Sequence, residues 1–159
     1  MYDFLKFPAP IFGTWNGRIL DHSHVSNIRC SIYNEGCDNR NVKTAFTFVV
    51  DPKLIDPESL SSEDQLAVSL KFVNFLTDKI PKFESADGHH RFNALIQVAE
   101  QLDTELTALE KKLEELLDMD DDSEINVKHI SVLKNRIKLA EQRRKPLGPW
   151  LVLFIDKSE

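Results

Sequence analysis

The chain has 159 residues, 42% of them hydrophobic and 29% charged, and a net charge of −6. This length is enough for one domain that buries about 70% of its unfolded surface. The acidic balance argues against long-range attraction to nucleic acid or an anionic membrane. No apolar run approaches the roughly 20 residues of a membrane span, and the first residues lack the pattern of a secretion signal. We therefore expect a single cytoplasmic domain over residues 1–159, without a membrane partner.

The amino-terminal third predicts β structure. Asn16-Gly17 between the apolar segments 11–15 and 18–20 is a strong hairpin signal, because both turn residues tolerate positive φ. Segment 27–33 alternates apolar and polar residues, which indicates a half-buried third strand. Segment 42–50 alternates in the same way and predicts a fourth strand, which Asp51-Pro52 ends.

Helical spacing follows. Ser62 and Gln65 resemble a capping box at the start of a helix over 62–80, which we expect to pack on the sheet. A break at 84–88 precedes a long helix from His89. This helix carries an apolar seam at three-four spacing, formed by Phe92, Leu95, Ala99, Leu102, Leu106, Leu109, Leu113 and Leu116. Such a seam requires a partner helix of similar length. A second helix carrying Ile130, Leu133, Ile137 and Ala140 is the predicted partner.

The last apolar run, 150–155, follows Pro146, Gly148 and Pro149. It predicts a strand that is buried on both faces and returns to the centre of the sheet. The order is then four strands, three helices and one strand, which indicates an α+β fold. We expect a mostly antiparallel sheet of about five strands packed with one helix. An antiparallel helical hairpin or coiled coil over 89–145 should project from it.

Charge is divided between the two long helices. Residues 100–124 hold eleven acidic residues and two lysines, a net charge of −9. Residues 125–145 hold seven basic residues and one glutamate, a net charge of +6. Opposite charges on consecutive helices favour their pairing and set its orientation.

The long helices predict a non-enzymatic protein-protein interaction or assembly module, which could act as an inhibitor or adaptor. The partner would be a second copy of the chain or a host or cellular protein. The first seam is longer than the second and should leave apolar surface for that partner. The predicted contact residues are Leu95, Leu102, Leu106, Leu109, Leu113 and Leu116, with Arg136, Arg143 and Arg144.

An enzymatic alternative rests on two short motifs, His24-Val25-Ser26 and His129-Ile130-Ser131. Paired His-x-Ser/Thr motifs resemble the signature of two-histidine phosphoesterases. The resemblance implies that His24, Ser26, His129 and Ser131 form a phosphodiesterase site, with one imidazole as base and the other as acid.

A second alternative is nucleic-acid binding by the basic segment 134–145, because clustered Lys and Arg neutralise phosphates. The acidic neighbouring helix works against it, so we expect no nucleic-acid partner.

No metal or cofactor is predicted. Asp118, Asp120 and Asp122 have EF-hand spacing, but Ser123 and His129 stand where a calcium loop needs glycine and glutamate. His22 and His24 form one histidine pair and His89 and His90 another, and nothing in the sequence places the pairs together. Cys30 and Cys37 are expected to be free thiols, with Cys30 as a core residue of the third strand.

Overall fold

The computed structural model describes residues 2–7, 9–15, 17–54, 83–119 and 123–157. The helix predicted over 62–80 lies outside these residues, as do Asn16 and residues 120–122. The described helices are α1 (His22–Glu35), α2 (His89–Asp118) and α3 (Glu124–Arg144). The described strands are β1 (Tyr2–Asp3), β2 (Phe46–Val50), β3 (Glu84–Ser85), β4 (Pro149–Trp150) and β5 (Val152–Asp156). The α+β class is confirmed.

Two small sheets organise the body. In the larger one, β2 lies between β3 and β5, antiparallel to β3 and parallel to β5. In the smaller one, β1 pairs antiparallel with β4. The parallel pairing runs from Phe46 opposite Val152 to Val50 opposite Asp156. A single, mostly antiparallel five-stranded sheet was therefore a wrong prediction for the described residues.

The core is aromatic and lies between the sheet and α2. Phe46 and Phe48 of β2 are fully buried, and Phe4 packs against both, with ring centroids 4.4 and 6.1 Å away. Leu95 and Leu102 of α2 complete this cluster from the other side. The alternation of β2 explains its position, because its phenylalanines point to one face while Thr47 points to the other.

The long helices form the predicted antiparallel hairpin. At about 1.5 Å per residue, the 30 residues of α2 span about 45 Å. The side-chain amide of Asn126 at the start of α3 donates to the carbonyl of Leu116 near the end of α2. At the carboxyl end of α3, Arg144 forms an ion pair with Asp103 of α2, with an N···O distance of 2.6 Å. No helix within the described ranges is long and apolar enough to cross a membrane.

Segment 27–33 belongs to α1, so the prediction of a third strand was wrong. Asp21 caps this helix by accepting hydrogen bonds from the backbone N–H groups of Ser23 and His24. Val25 and Ile32 are buried against α2, at helical rather than alternating spacing. Cys30 therefore lies on the exposed side of a helix and not in a strand core.

The described residues on either side of Asn16, 11–15 and 17–20, do not form the two strands of the predicted hairpin, because the first of these segments pairs elsewhere. The N–H of Ile11 donates to the carbonyl of Phe83, and the N–H of Ser85 donates to the carbonyl of Ile11. Ile11 thereby makes a parallel bridge with Glu84. The indole of Trp15 also donates to the Glu84 carboxylate at 2.6 Å.

The strands on either side of the helices are shorter or more exposed than predicted. A 3-10 turn at Val42–Thr44 replaces the first part of the fourth strand, which begins at Phe46. The last strand, β5, lies at an edge of the described three-stranded sheet, with β2 at the centre. Leu153 and Ile155 are exposed, so β5 is not buried on both faces.

Candidate protein-binding face of the helical hairpin

The first half of the predicted seam is used inside the chain. Leu95, Leu102 and Leu109 are at most 6% exposed, packed against α1, the sheet or α3. Leu106, Leu113 and Leu116 are half-buried. A partner could reach the buried leucines only if the hairpin opened, so they do not form a ready contact surface.

The predicted basic contact residues hold the hairpin together. Arg144 makes a two-point ion pair with Asp103, with N···O distances of 2.6 and 2.9 Å. This hydrogen-bonded pairing lowers the pKa of Asp103. Arg136 lies 3.8 Å from Glu105 of α2. The acidic and basic helices therefore pair through their opposite charges.

Arg143 extends this arrangement to α1. Its guanidinium lies over the ring of Tyr33, 5.6 Å from the centroid. The Tyr33 hydroxyl donates to Glu105 at 3.0 Å, and this hydrogen bond raises the pKa of Tyr33. Through these contacts Tyr33 of α1 connects Glu105 of α2 with Arg143 of α3.

An exposed apolar stripe runs along α3 beside the seam. It consists of Ile125, Val132 and Leu139, which are 69%, 57% and 56% exposed. They repeat every seven residues, and each comes one position, about 100° around the helix, before a buried residue of α3, namely Asn126, Leu133 or Ala140. We call these three residues the α3 stripe. Basic residues follow it on the next turn, namely Lys128, Arg136 and Arg143.

The carboxyl end of the α3 stripe opens into a groove. Leu139 lines a space of about 600 Å³ between the three helices, with Ile32, Tyr33, Leu102 and Arg143 among the other walls. Tyr and Arg beside an apolar pocket are the residue types that dominate binding energy at protein interfaces. Leu139 therefore belongs both to the α3 stripe and to this groove.

An acidic counterpart lies near the end of α2. Leu113 and Leu117 line a shallow groove of about 500 Å³, together with Glu110, Glu114 and Lys111. Lys111 is paired with Glu115 at 3.9 Å, so the groove is acidic on balance. Leu117 is 54% exposed. We call this the α2 groove. The α2 groove is complementary to the α3 stripe. Both are apolar, but the α2 groove has acidic flanks and the α3 stripe has basic flanks.

The histidine motifs of the enzymatic alternative lie far apart. His24 is in the first turn of α1, and its ring meets that of His90 at the start of α2, with centroids 5.2 Å apart. His129 lies near the tip of the hairpin, one turn after Asn126, which bonds to Leu116. The helix rise puts these positions about 35 Å apart along α2. The structure thus joins the two predicted histidine pairs and separates the two His-x-Ser motifs. Ser26 accompanies His24 on α1, and Ser131 accompanies His129 on α3.

Metal ligands do not cluster in the described part of the chain, where no group of three or more His, Cys, Asp or Glu side chains could hold an ion. Asp118 ends α2, and Asp120 and Asp122 lie outside the described residues. Cys30 and Cys37 are free thiols, as predicted. Burial raises the pKa of Cys37, which lies beside the carbonyl of Pro146.

The α3 stripe is the surface that sequence reasoning missed. Its signal was an apolar residue at every seventh position of α3, which the stronger seam through Leu133 and Ala140 obscured. Comparison with protein-family models, curated proteins and solved structures found no match to this chain. The proposals below therefore rest on the geometry and charge of the described residues.

Proposed function

We propose that this chain is a protein-interaction module that self-associates through its helical hairpin. The α3 stripe of one copy docks in the α2 groove of another. The observation that carries this proposal is the exposure of Ile125, Val132 and Leu139 at strict seven-residue spacing along α3. Regularly spaced apolar residues on one side of a helix are how helices bind in grooves.

Charge favours a second copy as the occupant. The stripe carries Arg136 and Arg143 beside its apolar residues, so it fits an apolar surface with acidic flanks. The chain itself offers such a surface in the α2 groove, where the acidic residues Glu110 and Glu114 outnumber the one basic residue, Lys111. The two surfaces differ, so the contact is heterologous. Salt should weaken it, because the flanking charges are exposed.

Paired substitutions test the stripe. Ile125→Gln with Val132→Gln removes two apolar anchors and keeps good helix formers in α3. Full burial of such side chains contributes about 1.5–3 kcal/mol each, and each is already partly buried, so the loss is about 1 kcal/mol per residue. We expect self-association about 30-fold weaker in sedimentation equilibrium, since each 1.4 kcal/mol is tenfold.

Val127→Gln is the matched control. Val127 is 56% exposed on α3, like Val132, but it does not belong to the stripe. This variant should associate as the wild type does. Equal weakening by Val127→Gln and by the stripe substitutions would show that general exposed apolar area, and not the stripe, drives association.

A further inference from the structure

β5 forms an open edge of the three-stranded sheet. Within the described residues β5 pairs with β2 alone, while the opposite edge, β3, is covered by Ile11. There the N–H of Ile11 donates to the carbonyl of Phe83, and its carbonyl accepts from the N–H of Ser85. The chain thus covers one edge of the sheet with an extended segment of its own and, in the part that the structure describes, does not cover the other.

The backbone groups of β5 alternate between β2 and this outer edge. The carbonyl of Leu151 accepts from the first N–H of β2, and the N–H of Lys157 donates to the last carbonyl of β2. Consecutive residues of a strand direct their N–H and C=O groups to opposite sides, so the odd-numbered residues between these two contacts also bond to β2. The even-numbered residues, Val152 and Phe154 among them, present theirs at the outer edge.

The sequence of β5 does not protect this edge from pairing. Edge strands are commonly blocked by a lysine, a proline or another charged side chain. Residues 152–155 are all apolar. Lys157 directly follows β5 and could block the edge, but its ammonium group reaches across β2 and pairs with Glu84 of β3 at 3.2 Å. Neither a charge nor a proline therefore opposes an added strand along residues 152–155.

The outer face of the sheet is apolar and exposed beside this edge. Leu153 and Ile155 are 42% and 47% exposed. Ile155 lies opposite Val49 of β2, so both side chains share the face turned away from the phenylalanine core. Apolar residues at this alternate spacing can form cross-strand pairs with apolar residues of an added strand.

We propose that β5 binds an extended, uncharged apolar segment of another protein as an additional strand. The segment pairs with the backbone groups of Val152 and Phe154, and its side chains pack beside Leu153 and Ile155. In this mode of recognition the main-chain hydrogen bonds provide affinity and the alternate side chains provide specificity.

Charge determines the class of segment that fits. Lys157 and Glu84 already neutralise each other, so a charged side chain placed against residues 152–155 would lose its hydration without gaining a partner. β5 lies outside the α3 stripe and the α2 groove, so this binding is independent of self-association through the hairpin.

The probe is a short capped peptide with alternating valine and threonine between two terminal lysines, added to the full chain. Backbone amide hydrogen exchange is recorded by NMR. The N–H groups of Val152 and Phe154 should exchange about tenfold more slowly when about 90% of the chain is bound, because exchange then requires dissociation. Those of Leu153 and Ile155, which bond to β2, are the internal reference and should change little.

Two N-methylated peptides separate strand pairing from contact through side chains. One carries methyl groups on the valine amides and the other on the threonine amides, so each lacks the N–H donors along one of its edges. An added strand pairs through one edge. We therefore expect one methylated peptide to bind like the parent peptide and the other to lose binding.

Leu153→Thr with Ile155→Thr removes the apolar side chains and retains residues suited to a strand. This variant should bind the peptide about fivefold more weakly, since each cross-strand pair contributes modestly. Ile19→Thr is the matched control, because Ile19 is 91% exposed and lies in the segment before α1. It should bind as the wild type does. Circular dichroism verifies that each variant is folded.

Four results overturn the proposal. The peptide could leave the exchange of Val152 and Phe154 unchanged, the two methylated peptides could bind alike, or the folded double variant could bind as tightly as the wild type. The fourth is a dimer of the free chain at low micromolar concentration that Leu153→Thr with Ile155→Thr disrupts, which would make a second copy the occupant of this edge.

Discussion

At Gly88, which directly precedes α2, adding a single methyl group should strongly lower the free energy of unfolding. Its φ of +79° lies in the left-handed region, which costs alanine about 1–2 kcal/mol. A Cβ at Gly88 would also overlap the Phe46 ring. That ring cannot easily move, because it is fully buried between Phe4 at 4.4 Å and Trp150 at 5.4 Å. Overpacking of this kind adds about 1–3 kcal/mol.

Gly88→Ala should therefore lower the free energy of unfolding by about 2–5 kcal/mol, measured by urea denaturation. In a chain of 159 residues this corresponds to a decrease in Tm of about 10 °C. Gly17→Ala is the control, since an added Cβ at Gly17 meets no heavy atom within 4 Å. Its effect should stay within about 0.5 kcal/mol.

A double-mutant cycle isolates the overlap. Phe46→Leu removes the outer ring atoms, so Gly88→Ala should cost less in that background, and the two changes should not add. Two results would refute the reasoning. One is a loss below about 1 kcal/mol for Gly88→Ala, and the other is full additivity with Phe46→Leu.

Two further predictions concern charge. Burial and, to a lesser extent, the neighbouring His90 lower the pKa of His89. Below about pH 6.5 the unfolded state therefore binds more protons than the folded state, and the free energy of unfolding falls as the pH decreases through that value. His89→Phe keeps the stack on Phe12 and should reduce this loss of stability. Urea midpoints at neutral and mildly acidic pH would measure the difference, and a pH dependence equal to that of the wild type would contradict the prediction. Asp103→Asn should cost about 0.5 kcal/mol at neutral pH, a small effect because Asp103 is half exposed. The cost should vanish in acid below the lowered pKa of Asp103, and a cost that persists there would show that the charge is not its source.

The helical hairpin could be predicted because its pattern is long. Eight seam positions in α2 and four in α3 repeat at the helical period, and opposite charges indicated that the helices pair. The final strand was also found, from its apolar run after Pro149. Its parallel pairing with β2 depends on contacts between segments about 100 residues apart, which local patterns do not encode.

α1 was missed because its residues satisfy two patterns. Ile28 and Ile32 belong to an alternating series, but with Val25 they also follow helical spacing. The decisive signals were the ends: Asp21 caps the helix, and Gly36, with a φ of +85°, follows its last turn. The predicted hairpin failed for a different reason. Its turn residues were suitable, but Ile11 found a tertiary partner in β3.

The α3 stripe and the contact between the two histidine pairs differ in how far the sequence could reveal them. The seven-residue repeat of Ile125, Val132 and Leu139 is present in the sequence and needs only the rotation of α3 to become a surface stripe. The contact of His24 with His90 joins positions 66 residues apart. It exists because α1 packs on α2, and no local feature of either histidine pair indicates it.

Complementation between two defective variants tests the proposed docking most directly. Ile125→Gln with Val132→Gln damages the α3 stripe but leaves the α2 groove intact. Glu110→Lys with Glu114→Lys reverses the groove rim and leaves the stripe intact. We expect the wild type to gain mass at high micromolar concentration in sedimentation equilibrium, and each variant alone to stay monomeric. An equimolar mixture should form dimers, because each variant supplies the surface that the other lacks. A mixture that stays monomeric while the wild type associates would contradict stripe-to-groove docking, and a monomeric wild type would contradict self-association itself.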